Sequence, residues 1–228
     1  MADEIPPAGR EGAASKLQIL ATEHWSLLAT RSLTYNESLS RVTIFLAILS
    51  GALIALALVA QADRFGETFI AIAIPMLLVV LFAGIATISR LMRLNRDDHR
   101  WVVGMNRIRA AYIELHPELE AHFIASPYDD LRGALQTLGI DDVRAGGGVG
   151  SVFHLLQTLP GMLSVILAAV VGAIAALTAR AFGGPPLGMV LAAAVGFALG
   201  VTVFVLWNRR SVTRVAPILE PRFPSPRG

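Results

Sequence analysis

The sequence predicts an all-α fold: a four-helix transmembrane bundle with a long antiparallel cytoplasmic helical hairpin continuous with its first two membrane helices. Three observations predict it. Four long windows lack any charged side chain, 54% of the 228 residues are apolar and only 16% are charged. Soluble domains carry roughly 25% charged residues, so this composition excludes an ordinary water-soluble globule. It also excludes a disordered chain, and the lack of cysteine excludes a disulfide-stapled scaffold.

The four apolar windows define the expected membrane spans, which we name TM1 to TM4. A helix needs about 20 residues to cross a hydrocarbon core of about 30 Å. Because a backbone in lipid must satisfy its own hydrogen bonds, continuous apolar runs favour helices over alternating barrel strands. The spans are TM1 at 42–62, TM2 at 69–89, TM3 at 159–179 and TM4 at 187–207. Pro75 predicts a local kink within TM2.

The positive charges predict the orientation of these spans. Of the 19 Lys and Arg residues, only Arg64 and Arg180 lie in the two short connections; the others lie in the N-terminal stretch, the central loop and the tail. Such a bias places both termini and the central loop in the cytoplasm, for a multi-pass protein of the plasma (inner) membrane. The net charge is only +2, and the arginines flank membrane segments, so no nucleic-acid surface is expected.

The remaining segments are expected outside the membrane. In order, they are a disordered N-terminus at 1–12, an amphipathic helix at 13–41, a stalk helix at 90–116, short helices and a Gly-rich linker at 117–158, and a basic Pro-rich tail at 208–228.

Local signals refine two of these segments. SPYDDLRGALQTLG at 126–139 predicts a helix with Ser126 as its N-cap and Gly139 at its end. AGGGVG at 145–150 predicts a flexible linker rather than a phosphate-binding loop, since no strand precedes it and no Lys follows. The tail is expected to be disordered past Pro217 and to rest on anionic headgroups.

The two stalk helices share a seam of apolar residues at three- and four-residue spacing, interrupted by Arg31 on one helix and Asp98 on the other. We predict an ion pair between these two side chains near the inner membrane face. Rotation of one helix, which would turn both side chains to water, is the alternative. An antiparallel register in which facing residue numbers sum to about 131 gives further oppositely charged pairs. These are Glu37 with Arg93 or Arg96, Glu23 with Arg107 or Arg109, and Lys16 with Glu114.

Small residues at four-residue spacing on TM3 and TM4 predict close helix packing. The glycines assigned to it are Gly172 on TM3 and Gly188, Gly196 and Gly200 on TM4. The pattern fits packing of TM3 on TM4 within one subunit, and a contact between subunits is the alternative.

Residues 42–60 of TM1 and the other three spans contain hydroxyl groups as their polar side chains, and no span contains an ionisable group. Proton-coupled carriers, ion pumps and voltage sensors depend on such groups at membrane depth, so these classes are excluded. We assign no catalytic, cofactor-binding or metal-binding residue. The five histidines include no pair at the helical spacing of metal ligands, and the Asp doublets suit helix capping.

Four segments carry a resemblance: EHWSLL at 23–28, YNES at 35–38, RWVVGMNRIRAAY at 100–112 and HPELE at 116–120. They resemble segments of uncharacterised bacterial four-helix membrane proteins, and the resemblance implies no reaction. In layout, the stalk and first membrane hairpin also look like two-helix membrane effectors of bacterial nucleotide-sensing defence systems. The second membrane hairpin departs from that pattern.

The leading hypothesis is a non-enzymatic integral membrane protein, self-associating, with a stalk that contacts an unknown cytoplasmic protein and a bundle that acts as scaffold or conditional pore. Its expected partners are the lipid bilayer, further copies of itself and that protein. One alternative is a membrane-bound enzyme or subunit acting on lipid headgroups. It would use a group of charged residues near the inner face: Arg31, Glu37, Asp97, Asp98 and His99. The other alternative is a small exporter of apolar compounds.

Overall fold

A computed structural model describes residues 7–139, 158–213 and 220–226, and within these ranges every regular element is helical. The elements are α1 (Pro7–Asp63), α2 (Glu67–Leu115), a 3-10 turn (Pro117–His122), α3 (Leu131–Thr137), α4 (Leu159–Ala181) and α5 (Pro186–Thr213). The all-α prediction is confirmed, and α1 and α2 pack as the expected hairpin. α1 begins at Pro7, inside the stretch expected to be disordered. Residues 1–6 and the Gly-rich linker at 145–150 lie outside the described residues.

Two compact units make up the chain, and α1 and α2 contribute to both. The bundle unit comprises Glu37–Leu94 and Gly148–Val215. The stalk unit comprises Met1–Asn36, Asn95–Gly147 and Ala216–Gly228.

The bundle unit holds the apolar parts of α1, α2, α4 and α5, and these four helices are long and apolar enough to cross a membrane. The chain is therefore a multi-pass membrane protein. Its core is built on Phe45, Val80 and Leu91, each almost fully buried. Large apolar side chains also cover the outer faces, Ile54 of α1 and Val203 of α5 among them. Such faces are at no disadvantage when the solvent is lipid.

A tight turn joins α1 to α2. Arg64 and Phe65 adopt left-handed φ angles of 46° and 62°, which are uncommon for residues other than glycine. The Asp63 carboxylate accepts the Phe69 N–H at 2.7 Å, so it satisfies one of the orphan N–H groups at the start of α2. From the second hairpin, the Arg180 guanidinium donates to the Phe65 carbonyl at 2.9 Å. The side-chain contacts at both sides of the turn hold its strained backbone.

Three of the four glycines assigned to helix packing lie where α4 meets α5. A Cβ at Gly172 would lie 2.8 Å from the Ala193 carbonyl oxygen, and one at Gly200 would lie 2.9 Å from an α4 Cα. Gly196 is slightly less tight, with the Ala175 Cβ at 3.0 Å and the Val171 carbonyl oxygen at 3.1 Å. Gly188 does not lie at this contact, because a Cβ there would meet only the Pro185 ring, at 3.4 Å.

Another packing glycine was missed by the sequence pattern. A Cβ at Gly84 of α2 would overlap the Leu167 side chain of α4, so this glycine admits a buried leucine into the helix contact. Gly84 belongs to no small-residue repeat, and an isolated glycine in a membrane helix carries no packing signal of its own.

Gly200→Val should loosen the α4–α5 contact, because its side chain has no room beside the α4 backbone. Overpacking costs about 1–3 kcal/mol, so the apparent melting temperature in mild detergent should fall by about 2–10 °C. The matched control is Gly188→Val on the same helix, which should melt within about 2 °C of the wild type. Equal losses for the two variants would contradict the assigned contact. The measurement is thermal unfolding followed by circular dichroism.

Candidate functional site: an acidic dock for the tail segment

A buried amide on α2 organises the stalk unit. The Asn106 side chain is completely buried, and its Nδ2 donates to the Tyr128 carbonyl at 2.7 Å. Its Oδ1 accepts from Arg109 Nη1 at 2.6 Å and from Thr137 Oγ1 at 3.0 Å. A buried polar group that satisfies its partners in this way fixes one arrangement of its neighbours. Asn106 therefore holds the loop before α3, and α3 itself, against α2.

The start of α3 differs from the expected capped helix. Ser126 was expected as the N-cap, and this prediction is wrong: the helix begins at Leu131, and Asp130 is its N-cap. Asp130 Oδ1 accepts the Gly133 N–H at 2.8 Å. Ser126 Oγ accepts the Tyr128 N–H, so it stabilises a local turn instead. Residues 126–129 therefore belong to the loop before α3 rather than to the helix.

The tail segment, residues 220–226, packs against this loop. The expectation of disorder past Pro217 is therefore wrong for these residues, and contact of the tail with lipid headgroups stays a prediction. The Asp129 side chain has an exposure of 0% and accepts the N–H groups of Arg222 at 2.9 Å and Phe223 at 2.8 Å. Its own backbone N–H donates to the Phe223 carbonyl at 3.1 Å. One aspartate thus binds two consecutive tail residues through backbone groups.

Neighbouring groups complete this site, which we call the tail dock: Arg107, Asp129 and Asp130. Arg107 Nε donates to Asp129 at 2.6 Å, and its Nη2 donates to the Glu220 carbonyl at 2.7 Å. Asp130 Oδ2 accepts both the backbone N–H, at 2.9 Å, and the hydroxyl of Ser225. Only the Asp129–Asp130 doublet signalled this site in the sequence. A contact made mostly to backbone groups leaves no pattern in the tail's own residues.

The surroundings of Asp129 and Asp130 in the tail dock favour the ionised form of both carboxyl groups. Burial by itself would raise the pKa of Asp129, but the N–H groups of Arg222 and Phe223 and the Arg107 guanidinium outweigh it and lower the pKa. Burial likewise opposes ionisation of Asp130, yet hydrogen bonds from Ser225 and Gly133 lower its pKa overall. Both carboxylates are therefore charged at neutral pH while the tail segment is bound.

The two seam charges predicted to pair lie in contact within the stalk unit. Arg31 Nε donates to Asp98 Oδ1 at 2.7 Å, and the second guanidinium contact is 3.4 Å, which approaches a bidentate geometry. The side chains are 32% and 30% exposed, so the pair is partly shielded from water.

The other predicted stalk pairs are not formed as expected. Glu37 binds Arg90 through two bonds of 2.9 Å and Arg41 at 2.7 Å, rather than Arg93 or Arg96. Arg90 lies about one helical turn nearer to the membrane than the partner that the residue-number sum of about 131 assigns to Glu37. Arg107 binds Asp129 and Arg109 binds Asn106, so neither pairs with Glu23.

The three carboxylates of the headgroup-enzyme alternative each lie close to an arginine. Asp98 is bound by Arg31, Glu37 is bound by Arg90 and Arg41, and Asp97 lies 3.7 Å from Arg100. For Glu37, the hydrogen bonds from Arg90 and Arg41 lower the pKa to about 2, so this carboxylate is a poor general acid.

Two buried nitrogens on the stalk helices, His24 Nδ1 and Trp101 Nε1, have no hydrogen-bond partner in the described part of the chain. Nor do the described residues bring together three His, Cys, Asp or Glu side chains that could hold a metal ion. No known family, curated protein or solved structure matches this chain.

Acidification should release the tail segment. A carboxylate whose pKa is lowered by binding stabilises the bound state fully above its ordinary pKa near ~3.9, and loses that contribution as the pH falls through the lowered value. The natural chain has no cysteine, so a spin label at Pro224→Cys reports on the tail alone. We expect an immobile spectrum at pH 7 that becomes mobile as the pH falls below the ordinary aspartate pKa and through the lowered one.

Since acid can also unfold the rest of the protein, the same label should be placed in an Asp129→Asn/Asp130→Asn variant. Its spectrum should be mobile already at pH 7, because neutral amides bind N–H groups and Arg107 less strongly. A label that stays immobile in that variant would show that the carboxylates do not hold the tail.

The Arg31–Asp98 pair should show a measurable coupling energy. In a double-mutant cycle with Arg31→Gln and Asp98→Asn, we expect the unfolding free energies to give a coupling of about 1 kcal/mol, since partial exposure screens the charges. The Asp97→Asn change, with Arg100→Gln, is the exposed comparison and should give a coupling near zero. Equal coupling energies for the two pairs would show that partial shielding from water adds nothing to the Arg31–Asp98 interaction.

Proposed function

We propose that the chain is a non-enzymatic integral membrane protein, a self-associating scaffold or conditional pore whose stalk unit binds a cytoplasmic partner. The tail dock is the observation that carries the proposal. It is an elaborate binding site in the part of the chain that lies outside the apolar spans, and its ligand in this structure is a segment of the chain itself.

The chemistry of the dock suits a replaceable ligand. Asp129 contacts the N–H groups of Arg222 and Phe223 and the Phe223 carbonyl, which every extended peptide presents unless a proline interrupts it. Extended segments are commonly bound through such main-chain groups. A partner that offers an extended segment with a hydroxyl at the Ser225 position can therefore compete with the tail. Partner binding then depends on tail release, so the activity of the scaffold or pore is conditional on that release.

The apolar helices supply the self-association and the pore or scaffold. In the strongly apolar windows of α1 and α5 only 11% of residues are buried, against 28% in α2 and 33% in α4. α1 and α5 thus offer the largest faces to lipid and to further copies of the chain. Because the four spans contain no ionisable side chain, any conduction would follow an opening between helices rather than a charged relay.

The orientation that we propose rests on charge. Seventeen of the 19 Lys and Arg residues lie in the segments placed on the stalk side of the spans, so the stalk and both termini face the cytoplasm of a plasma membrane.

Reconstitution of a tail-released variant tests the proposal. Asp129→Asn/Asp130→Asn should free the dock while leaving the apolar helices intact. In liposomes loaded with a small fluorescent anion, we expect dye loss at least about tenfold faster than from wild-type liposomes if the bundle is a pore. The matched control is Asp97→Asn, a half-buried carboxylate of the stalk unit outside the dock, which should leak like the wild type.

Subunit counting in the same liposomes separates the remaining outcomes. Multimers without leakage support the scaffold form, and leakage on tail release supports the pore form. Monomers that do not leak would contradict both forms. Chemical change of the liposome phospholipids by the purified protein would contradict the non-enzymatic assignment and favour the headgroup enzyme.

A further inference from the structure

A cavity of about 230 Å³ opens within the bundle unit, between α2, α4 and α5. Ile85 and Ile88 of α2 form one wall, and Val203 and Trp207 of α5 form the other. Every helix that lines it belongs to the set able to cross a membrane. We call this cavity the bundle groove.

The floor of the bundle groove is made by the close approach of α4 and α5. Gly200 lies against the Ala168 backbone, so no side chain of α5 fills the space above that contact. Ser164 is the polar side chain on the floor, and its hydroxyl donates to the Pro160 carbonyl at 2.6 Å. Because this hydroxyl is satisfied within its own helix, the groove offers an occupant an almost purely apolar surface.

We propose that the bundle groove binds an acyl chain of a phospholipid. Its volume exceeds the roughly 150 Å³ of a dry apolar cavity that admits benzene. It is partly open rather than enclosed, as the binding of a linear chain requires. The apolar molecule present at this depth in a membrane is a lipid tail. Van der Waals contact with a fitted groove, rather than escape from water, stabilises the bound chain.

Charge at one end of the groove indicates the headgroup. Trp207 lines the groove near the end of α5, and indole rings favour the membrane–water interface. Arg210 follows three residues later, in the last turn of α5 and exposed. A guanidinium at this level attracts anionic headgroups, so the lipid is an anionic phospholipid with its chain in the groove and its phosphate near Arg210.

Lipid retention tests this site independently of any activity of the protein. The wild type and its variants are incorporated into vesicles of equal parts phosphatidylglycerol and phosphatidylcholine and then extracted in mild detergent. Native mass spectrometry measures which lipid stays bound to the extracted protein. We expect the wild type to retain phosphatidylglycerol in preference to phosphatidylcholine. Val203→Phe should lose most of this lipid because its ring occupies the groove.

Val195→Phe is the matched control, since it lies on the same helix, outside the groove, with 58% exposure against 62% for Val203. It should retain lipid like the wild type. Ser164→Phe fills the floor and should also lose the lipid. If Ser164→Phe fails to fold, Val203→Phe decides, because an exposed position accepts a larger side chain.

The remaining arm tests the headgroup. Arg210→Gln should retain phospholipid but without preference for phosphatidylglycerol, and a preserved preference would overturn the headgroup assignment. Absence of retained lipid from the wild type, or equal retention by wild type, Val203→Phe and Val195→Phe, would overturn the site.

Discussion

A backbone inside lipid has no hydrogen-bonding partner except itself, and this constraint determines where the protein can place its chemistry. The four apolar helices satisfy their own N–H and C=O groups, and their spans carry hydroxyls that bond to their own helix, as Thr87 and Thr202 do four residues back. Irregular backbone with charged partners lies outside the spans, in the short turn between α1 and α2 and, more extensively, in the stalk unit. There the loop before α3 and the tail segment satisfy each other through Asp129 and Asp130.

The features that the sequence predicted are those that arise from long runs of one chemical type. Apolar windows of about 20 residues, long enough to cross the hydrocarbon core, identify the membrane helices. The regular apolar seam of the two stalk helices is interrupted by one charged residue on each, and these are Arg31 and Asp98. Glycine spacing was informative only where two repeats face each other. Gly200 lies against α4, whereas Gly188 fits the same spacing without a partner helix opposite, and Gly84 supports a contact without any repeat.

The tail dock could not be derived in the same way, for a physical reason. Its bonds join side chains near residue 129 to backbone groups more than 90 residues away. Almost any tail sequence could offer those backbone groups. The cap of α3 shows the related difficulty of choosing between neighbours: Ser126 and Asp130 are both good N-cap residues, and the tail contacts of Asp129 favour the later one. Glu37 shows that a long arginine side chain can replace the partner expected from register alone.

The distance along the chain between the two halves of the tail dock has a consequence for biogenesis. Asp129 leaves the ribosome 94 residues before Phe223 does, and a chain grows at about 5–20 residues per second. For several seconds, therefore, the dock exists without the segment that fills it, while α4 and α5 are still being made and inserted. During that interval Asp129 and Arg107 remain accessible to water and to other peptides. The dock can be filled by the tail only after both membrane hairpins have been synthesised.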